Sequence, residues 1–275
     1  MTLSATYDRE GGRQPGVRKV AMNTDAITAV LAKLVVVIVI LVAWHVVVAN
    51  WLPSYLPTPI GVAKSILPTL TSASFVGSMQ SSFGSIVVGL TIGATLGTIV
   101  GLANGRIGWL RQVTSPYIDG LYALPLLALV PPTTIWLGYT DSTRLAMVIL
   151  AAFLPCAVGA ADGASKLPSS LWNVTQVYGS PKYRRVVDLI IPASLPFVIA
   201  GLYVSVGRAL IAAVSVEFIA SIDGLGTYIL LNARSFRQNE AFVGVLVLAT
   251  FGGSARLLIT WVLQKVAPWQ EGRAP

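Results

Sequence analysis

The stretch NVTQVYGSPKYRRVVDLIIPASLP, residues 173–196, is a basic, glycine-broken segment set between two apolar runs. What it is doing there depends on the solvent around the rest of the chain. Of the 275 residues, 55% are hydrophobic and 11% charged, against about 25% charged in an ordinary soluble domain. Too few polar side chains remain to cover a water-facing surface, so lipid is the expected solvent and an all-α integral membrane protein the expected fold class. The net charge of +8 reads as lysine and arginine retained on one side of a bilayer. No basic stripe on a polar surface points to nucleic acid. The single cysteine, Cys156, excludes an intrachain disulfide. One cysteine with one histidine, His45, supplies no His/Cys metal set, so no metal is expected. His45 reads as an interface or packing residue.

Working outward, apolar runs long enough to span a bilayer fall at residues 26–49, 78–103, 117–137, 145–161, 191–219 and 241–266. Residues 1–25 read as a flexible cytoplasmic tail, 26–267 as a transmembrane domain of six helices and 268–275 as a second cytoplasmic tail. The first run is too long for a signal-peptide core, and Lys33 within it is expected to snorkel to one interface. NWLPSYLPTPIGVAKS, after the first span, suits an extended connection at headgroup level. In the second span Gly89, Gly93, Gly97, Gly101 and Gly105 recur every fourth residue, a side-chain-free groove for close helix packing. Pro125, Pro131 and Pro132 predict a kinked third span. Asp141 and Arg144 read as a polar turn, and the residues after 222 as a polar link.

With the N-terminus inside, the inner loops hold Arg9, Arg13, Arg18, Lys19, Arg106, Arg111, Lys166, Lys182, Arg184, Arg185, Lys265 and Arg273. Only Lys64, Arg144, Arg234 and Arg237 fall outside. The bias favours both termini inside and puts residues 173–190 in the cytoplasm. There the residues form a pattern that simple basicity does not require. Trp172, Val174, Val177 and Tyr178 give an apolar face, Gly179 and Pro181 a turn, and Tyr183, Val186 and Val187 continue the face, with Lys182, Arg184 and Arg185 pointing away. A hinged, amphipathic helix pair of this kind reads as a docking surface.

These residues resemble the cytoplasmic loop of binding-protein-dependent ABC importer permeases, which runs E-A-A, three residues, Gly, nine residues, I-x-L-P. Here Gly179 is the glycine and LIIP, ending at Pro192, takes the I-x-L-P place. Asn173, Val174 and Thr175 replace E-A-A. ALPLLALVPPTTIWLGYTDSTRLAMVILAAFLP, PASLPFVIAGL, VEF with Glu217, GLG at residues 224–226 and the terminal Pro268–Trp269 are similar to the nitrate/sulfonate/taurine branch. The resemblance implies a type I, MetI-like permease with no cofactor of its own. Its coupling loop, 165–190, would meet a separate ATPase through Asn173, Val174, Thr175, Tyr178, Gly179, Ser180, Pro181, Tyr183, Arg184 and Pro192. It also implies a second permease subunit, an extracytoplasmic binding protein and a bacterial inner-membrane location. No lysine follows a glycine anywhere in the chain, so it has no P-loop, and ATP-Mg is expected on the ATPase.

Arg208, Arg256 and Glu217 are the substrate-path candidates, because charges inside a span usually face a cavity or a partner. For the arginines the alternative is an internal pair with Asp119 or Glu217. For Glu217 a structural role is the favoured reading. The residues 232–239, with Asn232, Arg234, Arg237 and Asn239, are candidates for contact with a binding protein. The expected function is import of a small, anionic solute: a sulfonate, taurine, nitrate, bicarbonate or organic carboxylate. The alternatives are a neutral or cationic pyrimidine-type precursor, or a self-sufficient carrier.

Overall fold

A computed structural model describes residues 24–51, 53 and 56–266; the two expected tails and Pro268–Trp269 lie outside these. The chain divides at Leu52–Pro53. The first unit holds α1 (Thr24–Trp51). Its apolar side chains from Leu31 to Val47 are largely exposed, as a helix solvated by lipid requires. Lys33 lies in its first half.

The second unit contains α2 (Pro59–Leu70), α3 (Ala73–Arg106), α4 (Gly108–Ala123), α5 (Val130–Leu137), α6 (Asp141–Ser165), α7 (Ser169–Val177), α8 (Lys182–Arg184), α9 (Ile191–Ala220), α10 (Leu225–Arg234) and α11 (Gln238–Val266). By length and composition the described residues hold five helices able to cross a membrane, or six spans if the bent pair around residue 124 is one. Two segments expected to be extended or irregular are helical. Thr58 caps α2, its Oγ1 accepting from the Gly61 N–H at 3.0 Å, and Pro59 occupies a first-turn position where its missing N–H costs nothing. α10 buries Leu225, Gly226 and Thr227, and Tyr228 meets Phe75 edge-on at 5.1 Å between ring centroids.

The glycines of α3 set the central packing. A Cβ on Gly89 would meet Val148 Cγ1 at 2.6 Å, and one on Gly105 would meet the Ala161 carbonyl at 2.6 Å. At Gly93, Gly97 and Gly101 it would run into the carbonyl oxygens of Ile149, Phe153 and Ala157. From Gly93 to Gly105 backbone therefore sits against backbone, and no side chain can rotate aside there to admit a larger residue. These partners advance together along both helices, so α3 and α6 are parallel. The chain must cross back between them, and α4, a 3₁₀ turn (Leu126–Leu129) and α5 make that return.

This third span is not a gentle kink: its halves meet at 100°. Leu124 is extended (φ −69°, ψ 139°), as a residue ahead of proline prefers, and Pro125 cannot continue a helical ladder. Pro131 and Pro132 instead sit in the first turn of α5, where prolines start helices rather than break them. α9 then runs antiparallel to α6, with Gly163 near Ser194, Gly159 near Phe197 and Gly201 near Pro155. α11 runs antiparallel to α9, Gly252 facing Leu210 and Arg256 reaching Gly207.

These directions give the second unit two unlike ends. One carries Arg106, Arg111, Lys166, Lys182, Arg184, Arg185 and Lys265, and is called the basic end. The opposite end carries Lys64, Asp141, Arg144, Asp223, Arg234, Arg237 and Glu240.

Candidate functional site

At the basic end, residues 165–190 fold as two short helices about a glycine. α7 ends at Gly179, which has φ +61°, a left-handed conformation that glycine adopts without a Cβ penalty. The Ser180 N–H reaches the Thr175 carbonyl and the Gly179 N–H the Gln176 carbonyl, both at 3.0 Å. That pair of bonds is a Schellman termination. Pro181 precedes α8, and a π-helical turn (Arg185–Ile190) leads into α9. The Ile191 N–H bonds the Val186 carbonyl, and Pro192, in the first turn of α9, has no N–H to offer. π-turns of this kind are frequent at functional sites.

The outer face of this loop is apolar and open to solvent: Val177 is 85% and Tyr178 82% exposed, and Val174, Tyr183, Val186 and Val187 are exposed with them. Asn173, Pro181 and Arg184 are exposed too, while Thr175 and Ser180 are half-buried. Trp172 departs from the expected face. It turns inward, with the Arg106 guanidinium 4.0 Å above its ring and that of Arg185 at 5.6 Å. Arg106 also donates to the Ala164 carbonyl at 3.3 Å, so one tie joins α3, α6 and α7. Arg185 does not point away as its charge suggested. Its Nε donates to the Ser180 carbonyl at 2.8 Å, which draws it back beneath the turn.

At the opposite end lies the element that the sequence reading missed. Arg144 is not in a polar turn. It is 1% exposed, inside α6, and its Nη1 donates to Glu217 Oε1 at 3.0 Å and to the Asp223 carbonyl at 2.7 Å. Its Nη2 reaches Ser81 Oγ at 2.8 Å and Asp141 Oδ1 at 2.6 Å. Glu217, fully buried, also accepts from Ser82 Oγ at 2.6 Å and the Gly226 N–H at 2.7 Å. A Cβ on Gly224 would run into the Glu217 carboxyl group. The glycines of GLG are therefore the cradle for the glutamate of VEF, and Arg144 supplies the charge that makes its burial tolerable.

Glu217 is thus taken, and the internal pairing with Arg208 or Arg256 does not form. Among the described residues neither arginine has a carboxylate within ion-pair distance, and Asp119 is exposed. Arg208, half-buried on α9, lies 4.0 Å over the ring of Tyr122. Arg256, exposed on α11, lies 4.8 Å over that of Tyr203. No group of three or more His, Cys, Asp or Glu suited to a metal occurs among the described residues.

A multi-pass helical membrane protein, its two ends built differently, is the class that this fold and these sites define. The chain belongs to the family described as the binding-protein-dependent transport system inner membrane component, whose model matches residues 89–271. Over 84% of this chain and 85% of its own length, the putative aliphatic sulfonates transport permease SsuC of Bacillus subtilis (strain 168) is 26% identical. The nitrate import permease NrtB of Synechococcus elongatus (strain ATCC 33912 / PCC 7942 / FACHB-805) is 26% identical, over 84% of this chain and 87% of its own. The formylaminopyrimidine transport permease ThiX of Halalkalibacterium halodurans (strain ATCC BAA-125 / DSM 18197 / FERM 7344 / JCM 9153 / C-125) is 23% identical, over 80% and 87%. Two solved structures share the fold. The inward-facing MetNI methionine ABC transporter aligns with TM-score 0.55 over 74% of this chain and 95% of that one, at 14% identity. A bacterial alginate ABC transporter, in complex with its alginate pentasaccharide-bound periplasmic protein, gives 0.59 over 90% and 98%, at 12% identity.

Proposed function

We propose that this permease forms the path of an ATP-driven importer for a small anion, and that residues 165–190 are where a separate ATPase docks and transmits its motion. The observation that carries this is the exposed apolar face of Val174, Val177, Tyr178 and Tyr183 at the basic end. Lipid-facing apolar residues belong on the long spans, whereas this face sits on short helices between two of them, beside Lys182 and Arg184. An open apolar patch on such a connection marks a partner surface. The tie through Trp172 and Arg106 gives a docked partner a handle on α3 and α6 together.

The basic end is then cytoplasmic. Removing the buried, ion-paired Arg144 from the count of opposite-end charges strengthens that orientation. Two copies of the chain would line the path, and an extracytoplasmic binding protein would deliver the solute at the opposite end, where Asn232 and Arg237 help to line a polar cavity of about 560 Å³. The relatives named for sulfonates and nitrate support an anion.

Expressed with its cognate ABC ATPase, the chain should retain that ATPase through purification in mild detergent. Val177→Asp with Tyr178→Asp should lose it while remaining monodisperse. Retention of the ATPase by this double variant would refute the assignment of the loop.

A further inference from the structure

A cavity of about 230 Å³ opens where the third span breaks, between α5 and α9. Leu124, Pro125, Leu127, Val130 and Ile211 wall it with apolar surface, and Arg208 is its one charged lining residue. We propose that this cavity is a binding step on the substrate path for an organic anion with a compact apolar body, an aryl or short-alkyl carboxylate or sulfonate, whose head Arg208 holds. This rests on the importer reading above and narrows its substrate class.

The charge comes first. Arg208 sits near the middle of α9, where an ionisable group in a membrane marks a functional site by default. Tyr122 covers one face of its guanidinium, a contact that steadies the plane without neutralising it. Glu217, the one acid on the same helix, is committed to Arg144. A stacked guanidinium still presents edge N–H groups, the geometry that takes carboxylate or sulfonate oxygens two at a time. Arg256 differs on each count: it is exposed, stacks on another ring and does not line this cavity.

Size and lining decide the rest. At about 30 Å³ per liquid water, the space amounts to roughly eight waters. An inorganic anion such as nitrate fills only a small part and leaves water against Leu124, Leu127 and Ile211. A phenyl ring or a short alkyl chain covers those walls while its head stays on Arg208. The break at Leu124–Pro125 borders this room.

The test uses the full chain co-purified with its ATPase, in nanodiscs of neutral lipid, and equilibrium dialysis against radiolabelled benzenesulfonate at constant ionic strength. Saturable binding is expected, at least about tenfold weaker in Arg208→Gln, where a charge-assisted contact is lost. Arg208→Lys should bind more tightly than Arg208→Gln but more weakly than the parent, since the charge remains while the stacked, two-pronged fork is lost, and Arg256→Gln should match the parent. Nitrate should displace the probe only at about tenfold or greater excess. Absence of saturable binding, undiminished binding by Arg208→Gln, or equal displacement by nitrate would each overturn the proposal. ATPase retained on the column with no benzenesulfonate bound sinks this inference alone. Failure of the ATPase to co-purify sinks the importer reading instead.

Discussion

The two ends of the bundle solve opposite problems. At the opposite end, Arg144, Glu217, Ser81, Ser82 and the Gly224–Gly226 turn form a polar network in which both ionisable groups are almost wholly buried. At the basic end, the connection from α6 to α9 exposes its apolar residues and is held down through Trp172. A buried ion pair holds one geometry, because a half-satisfied network is worse than none. An exposed loop with one inward anchor keeps its shape but leaves a face free for a partner. The difference places rigidity where three spans are tied together, and leaves an open apolar face at the other end.

The largest test of that contrast is Arg144→Met. It leaves Glu217 buried without its counter-charge, and thermal unfolding in detergent should show a loss of about 3–5 kcal/mol. The double variant Arg144→Met/Glu217→Leu should recover much of it. Equal losses in single and double variants would mean that the pairing is not what holds this end. Next comes the glycine seam. Gly97→Ala drives a Cβ into the Phe153 carbonyl and should cost about 1–3 kcal/mol. Gly84→Ala, on the same helix but with open space around it, should be neutral or gain up to about 1 kcal/mol from helix propensity. Melting temperatures of the two variants check the pair.

Smaller effects belong to the basic end. Trp172→Ala removes stacking worth about 0.5–1 kcal/mol at a partly exposed site. Limited proteolysis should then cut residues 169–190 faster while the melting temperature barely moves. Val177→Asp should be silent in stability, within about 0.5 kcal/mol, and still abolish retention of the ATPase. A large stability loss from it would show that the face is packed against the protein and not free.

The sequence exposed the long spans, the glycine seam and the existence of the loop, because each repeats a simple period over many residues. It hid what depends on distant partners. Arg144 looked like part of a turn since Asp141 and Thr140 flank it, and its burial follows from Glu217, 73 positions away. The pairing of VEF with GLG was visible as two motifs but not as one site. Short helices α2 and α10 were overlooked beside the long spans, although Thr58–Pro59 is a recognisable helix start. The three prolines of the third span signalled a kink, but their division between one break and one helix start required the backbone itself. Trp172 was misplaced by an avoidable step: at 100° per residue it lies about 140° around the helix from Val177, on another side.

If the apolar face of residues 174–187 is the ATPase contact, a thiol placed on it lies against that partner. Cys156 is fully buried and is the chain's single cysteine, so Val177→Cys introduces one reactive thiol on a quiet background. With a short thiol-to-amine cross-linker added to the assembled complex, Val177→Cys should yield an adduct of permease and ATPase, and Leu257→Cys, on the exposed side of α11, should yield none. An intact complex that gives no adduct from Val177→Cys, or equal adduct from both positions, would rule that contact out.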